Sequence, residues 1–239
     1  HQARRRRRRH PSRRPRSHRR RASISPPYDV NLNFASATVT NSNLGGFTPD
    51  VPANLRFSSV ATSDQVGGTI DLLVTNISTY TPFNPTKNAI EGQLGQINLR
   101  SPLEGEGAYS DVELAFTFVS SGTDTPVLVP RLRLSFLDLD EAANGLQREC
   151  VGVRGHAAYA YSTSTELVET ADPTGSGYGT VCSSVQGGET DNPTNPLGLD
   201  AQQQARTIEF IVAEVSSVDV RLSIGSFAWA ATGRNFQFA

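Results

Sequence analysis

The chain has 239 residues, of which 37% are hydrophobic, with 22 lysines and arginines against 23 aspartates and glutamates and no methionine. No apolar run approaches the ~18 residues that a membrane helix needs, so no membrane span is expected in the visible chain. The near-neutral total hides two opposite parts: twelve of the first 21 residues are arginine, leaving 10 bases against 23 acids in residues 22–239, a net of −13.

Residues 1–27 read as a disordered, Arg-rich arm. It buries too little apolar surface to fold, and arginine repulsion with Pro11, Pro15, Pro26 and Pro27 keeps it extended. Its guanidiniums would attract a polyanion at low salt and less as salt rises. The body lacks a basic patch or an RNA-binding signature, so specific nucleic-acid recognition is not expected. A processing region, an anchor to anionic polysaccharide or membrane surface, or an arm folded back on its own acidic body are equally open. The missing methionine, absent even at position 1, reads as a fragment or processed product.

From Tyr28 the pattern has a period of two. Tyr28, Val30, Leu32 and Phe34 alternate with polar residues, which predicts a strand with one buried face. Similar segments recur at 54–60, 67–76 and 94–99. The clearest are 111–119, with Val112, Leu114, Phe116 and Phe118 in phase, and 131–139. Weaker runs follow at 149–154, 156–163 and 178–185. Two strong strands come late, one through Ile208, Phe210 and Val212 and one through Val218, Val220, Leu222 and Ile224, and a short run ends at Phe238. One helical turn is expected at 200–206, capped by Asp200. About a dozen strands without intervening helices predict an all-β chain: an antiparallel, jelly-roll-like β-sandwich forming one domain over 28–239.

Cys150 and Cys182 are the only cysteines. A disulfide suits an exported protein, and two buried thiols are the alternative. Asn76-Ile77-Ser78 is a single N-glycosylation sequon and supports export slightly.

The stretch Arg131 to Asp140 carries the most chemistry. Leu132, Leu134 and Phe136 share the core face, and strict alternation puts Asp138 and Asp140 on the same line. Carboxylates pointing inward are costly unless neutralised or solvated. They could meet water at the sandwich rim, be turned outward by a bulge, pair with Arg148 or Arg133, or hold a hard cation with Glu141, Asn144 and Glu149 as further donors. Calcium takes six to eight such oxygens. The spacing is not that of an EF-hand, because Ala142 and Ala143 stand where a third ligand and the invariant glycine belong. The loop from Glu189 to Asn195 is a second oxygen-rich segment, with Asp191 and Asn192 as candidate ligand-binding residues, or simply an Asx-turn loop stiffened by proline.

Catalytic signals are weak. His156, the one histidine of the body, reads as a packed side chain, and no G-x-S-x-G elbow exists. A glycosidase needs only two opposed carboxylates, and Asp138, Asp140, Glu141 and Glu149 could include such a pair. Phe227 and Trp229 share a strand face, as do Tyr159 and Tyr161; core packing and a sugar-stacking surface are both open for each pair.

The series Phe136-Leu-Asp-Leu-Asp140, Gly145, Glu149, Thr165-Glu-Leu167, Asp191-Asn192-Pro193 and Gly233-Arg-Asn-Phe236 resembles an uncharacterised family. Its members are exported β-sandwich domains of marine protists, with similar segments in bacterial surface proteins. The resemblance spans about residues 68–238 and implies an extracellular domain with its acidic cluster intact. The arginine arm and Cys150 beside Glu149 depart from the family's pattern. The expectation is therefore an extracellular, non-enzymatic binding or structural module, calcium-dependent, in contact with glycan or protein. A carbohydrate-active hydrolase on a jelly roll is the alternative.

Overall fold

A computed structural model describes residues 29–63, 67–171, 177–188, 190–225 and 231–239. The arm, Phe227, Trp229 and Glu189 lie outside them, and so do the readings that rest on those residues.

Two sheets face each other. One contains β1 (Val30–Asn31), β5 (Ala89–Glu91), β6 (Leu94–Arg100), β8 (Val129–Leu137), β10 (Ala158–Tyr161), β13 (Ile208–Val215) and β15 (Gly233–Phe238). Its order is β10-β13-β8-β15-β6-β5, with β1 beside β8. The other contains β2 (Thr38–Ser42), β3 (Leu55–Ser63), β4 (Gly68–Asn76), β7 (Tyr109–Ser120), β9 (Arg148–Arg154), β11 (Leu167–Thr170), β12 (Tyr178–Ser183) and β14 (Ser217–Gly225), in the order β11-β12-β9-β14-β7-β4-β3-β2. Every pairing is antiparallel except β1 with β8. From β6 onward nearly every connection crosses from one sheet to the other, as in a jelly roll.

The period-two stripes meet between the sheets. Leu132, Leu134 and Phe136 of one sheet and Val112, Leu114, Phe116 and Phe118 of the other are fully buried. Phe238 sits among Phe34, Phe57, Phe116 and Phe136, with ring centroids 5.1 to 6.2 Å away. Truncating a ring buried this way costs about 3–5 kcal/mol. Arg131 and Arg133 alternate with the leucines and so face outward, where they pair with Asp29, and Arg133 also with Glu209. That removes Arg133 as a partner for the acidic cluster.

Residue 28 lies outside the described residues, and over 29–34 a strand forms only at Val30–Asn31. Val30, Leu32 and Phe34 are buried as expected, but the Asn33 N–H donates to the Val60 carbonyl at 2.6 Å, so the segment crosses toward the opposite sheet instead of extending its pairing with β8. The predicted helical turn is α1 (Ala201–Ala205), closed by a capping box between Asp200 and Gln203. Cys150 and Cys182 form a disulfide across the paired strands β9 and β12. Among the described residues no helix is long and apolar enough to cross a membrane.

Candidate functional site

At one end of the sandwich the core stripes run out into charge. β8 stops at Leu137, and Asp138 follows with φ +59°. This left-handed residue resets the alternation, so Leu139 and not Asp138 enters the hydrophobic core. The structure kinks at this turn and swings Asp138 off the core line, half-buried, whereas Asp140 stays inside at 4% exposure.

Glu149 reaches the same place from the facing sheet. It shares the inward side of β9 with Val151 and Val153 and is only 1% exposed. Between the two acids lies Arg234, in phase with the core residues Phe236 and Phe238 of β15. Its Nε donates to Glu149 Oε1 at 2.6 Å, and its terminal nitrogen donates to Asp140 Oδ1. One guanidinium therefore ties the two sheets together. Ser183, fully buried on β12, donates from Oγ to the Asp140 carbonyl at 2.8 Å and accepts from the Glu149 N–H at 3.2 Å. The Asp140 carboxylate also rests on bare backbone: a Cβ at Gly187 would lie 1.4 Å from its Oδ2.

The second oxygen-rich loop joins this cluster. Arg206, buried just beyond α1, donates to Glu166 Oε2 at 2.8 Å, to Asp191 Oδ2 and to the Gln186 carbonyl at 3.0 Å. Held this way, Asp191 brings one carboxylate oxygen within 4.8 Å of oxygens on Asp138 and Asp140. Asp138 and Asp140 border a cleft of about 270 Å³ whose wall also includes Glu141, Glu149, Arg234 and Asn192, the residue after Asp191. Two segments that read as separate in the sequence are thus one site. Arg148 pairs with Glu141 at 2.6 Å and not with Asp138 or Asp140. Asn144 belongs to a 3-10 turn, Ala143–Gly145, and its side chain lies outside the described part.

The charges do not balance. Asp138, Asp140, Glu141, Glu149, Glu166 and Asp191 face three guanidiniums, those of Arg148, Arg206 and Arg234. Among the described residues Asp138 alone of these acids has no side-chain hydrogen bond or ion pair. Burial, with repulsion from Asp191 added, pushes its carboxyl up to about 7 against the pull of Arg234 and Arg206. Burial, reinforced by Asp138, also raises Glu149 well above the usual carboxylate range. Burial lowers Arg234 in turn, against the pull of Asp138.

Arg234, Arg206, Ser183 and Gly187 were not foreseen from the strand pattern. Only Arg234 left a signal there, as an arginine standing in phase with two core phenylalanines. His156 is packed as expected, its Nδ1 2.8 Å from the Val153 carbonyl and its ring against Phe210 and Tyr159.

Fold and site together define an all-β sandwich domain with an acidic, arginine-buttressed cleft at one end. No protein-family model matches the chain, and no curated protein does. Among solved structures, the N-terminal domain of the Streptococcus gordonii adhesin Sgo0707 is similar over 87% of this chain and 61% of its own, at 13% identity and a TM-score of 0.47. The chain thus spans less than two thirds of that structure. The adhesin domain of PrgB from Enterococcus faecalis, in a structure bound to DNA, is similar over 86% of this chain and 75% of its own, at 14% identity and a TM-score of 0.42.

Proposed function

We propose that the protein is an extracellular, non-enzymatic binding or structural module whose cleft takes a hard divalent cation, calcium by its chemistry. The carrying observation is the unpartnered carboxylate of Asp138, set beside Asp140 and Asp191 in a cleft where acids outnumber arginines. Calcium suits a set of mixed oxygens in a site open enough to admit water, whereas magnesium demands a stricter octahedron. The ion would neutralise the three acids and join the Asp138 turn to the Asp191 loop. That would fix the loops through which the module contacts glycan or protein. The Cys150–Cys182 disulfide supports an oxidising, extracellular setting.

Thermal unfolding with calcium against a chelator tests this reading. Saturation at about a hundred times Kd adds about 2.7 kcal/mol, a rise of several degrees for a domain of this size. Asp138→Asn removes a candidate ligand that has no other partner, and it should abolish the rise. If calcium leaves the wild-type melting temperature unchanged, the cation reading is wrong.

A carbohydrate-active hydrolase is the second reading, favoured by one observation: an acid held near neutrality beside Asp191, the pairing that acid catalysis of glycoside cleavage uses. Against it, Asp140 and Glu149 are both committed to Arg234. Release of reducing sugar from a polysaccharide panel, lost in Glu149→Gln or Asp138→Asn, would select the enzyme.

A further inference from the structure

Sheet pairing explains an exposed pair of aromatics. Tyr159 and Tyr161 lie on β10, the edge of its sheet, directly opposite Phe210 and Ile208 of β13. Opposed residues of paired strands share a face, so both tyrosines belong to the inward side of the sheet. Here, though, the facing sheet ends in its own short edge strand, β11, and β10 is exposed along its length. The two residues are 39% and 42% exposed, and their rings lie 6.0 Å apart between centroids, inclined by 33°. His156 continues the row, 5.5 Å from Tyr159. From β11, Glu169 accepts the Tyr161 hydroxyl at 2.8 Å, and Tyr159 shares the same carboxylate.

We infer that this face is a stacking platform for a neutral pyranose glycan. Two rings 6.0 Å apart and tilted by 33° can lie under neighbouring sugars of one curved chain, whose axial C–H groups meet the electron-rich ring faces. Glu169 fixes the rings by their hydroxyls and leaves acceptor capacity for sugar hydroxyls beside them. Because the tyrosine hydroxyls are tethered, little side-chain freedom remains to be lost when a ligand docks. Charge selects the class of ligand. The body carries −13 and the platform itself a carboxylate, so a uronate or sulfated chain is repelled where a neutral one is not. The platform deepens the glycan contact of the proposed module without using its cation. Tyr161 is level with Ile208 and Phe136, at the same end as the cleft but two strands away.

The test is affinity electrophoresis of the full chain through gels containing soluble β-glucan, mannan or xylan, with alginate as the anionic comparison. It is run at high salt, where attraction to the arginine arm is screened. The platform predicts retardation by at least one neutral polymer, about tenfold weaker for Tyr159→Ala or Tyr161→Ala. Tyr161→Phe, which keeps the ring, should stay within about twofold of wild type. Adding a chelator should not change it, so failure of the cation reading leaves this result intact. Melting curves exclude unfolding of the variants. The inference is overturned if no neutral polymer retards the protein, if only alginate does, or if both alanine variants migrate as wild type.

Discussion

Asp138→Asn is the most informative substitution because it removes a charge and almost nothing else. The folded protein raises this carboxyl from 3.8 to about 7, so it binds the proton more tightly than the unfolded chain does. That preference stabilises the fold fully below the unfolded value and is lost as pH climbs through about 7. At about 1.36 kcal/mol per unit the ceiling is about 4 kcal/mol; Asp138 keeps part of its contact with water, so about 2 kcal/mol is the working figure. The asparagine variant carries no such penalty. In chelator at about pH 8 it should therefore melt roughly 4–8 °C above wild type, and the gap should close toward about pH 4. Calorimetry or circular dichroism across that range reads the difference, in which other groups largely cancel. Excess calcium should reverse the order, since only the wild type gains from it. A gap that stays flat with pH, or a variant that melts below wild type in chelator at pH 8, would show that Asp138 is neither desolvated nor repelled.

Two further substitutions probe how the cleft is held. Arg234→Met leaves Asp140 and Glu149 buried without their guanidinium and should cost about 3–5 kcal/mol in chemical denaturation. Adding Glu149→Gln should recover about 1–3 kcal/mol of that; strictly additive costs would mean the two are not coupled. Gly187→Ala drives a methyl into the Asp140 carboxylate and should lower the melting temperature by several degrees while abolishing any calcium response. Gly68→Ala, where an added Cβ meets nothing, is the control and should shift it little. A Gly187→Ala protein that responds to calcium like wild type would detach Asp140 from the site.

The core was legible in the sequence wherever a strand had one wet and one dry face. Runs such as Val112 to Phe118 and Leu132 to Phe136 carry that alternation openly, and the structure buries those side chains. The strands that gave no signal, β2, β5 and β11, are edges of their sheets. A segment such as Thr38-Val-Thr-Asn-Ser42 buries no side chain fully and brings only Val39 against the core, so hydrophobicity selects little along it. The acidic residues of the cleft could also be named in advance, but not their arrangement. Strict alternation put Asp138 inward with Asp140, and a single left-handed residue at Asp138 undid it. Asp191 could not be placed beside Asp140 at all, because Arg206 and the Gly187 backbone do the placing across some fifty residues of chain.

The division of labour among the charges explains why one carboxylate is left over. Arg206 uses its fork on Glu166, Asp191 and the Gln186 carbonyl, and Arg234 divides between Asp140 and Glu149. Both are planar donors pinned by bonds that also knit the loops and the sheets, so neither can turn to Asp138 without releasing a buried acid. A compact ion has no such prior commitment, and a proton is the other species small enough to serve. The arginines therefore set the part of the cleft's charge that belongs to the fold. Asp138 carries the part left over, which a proton balances at low pH and, on the function proposed above, a cation would balance at high pH.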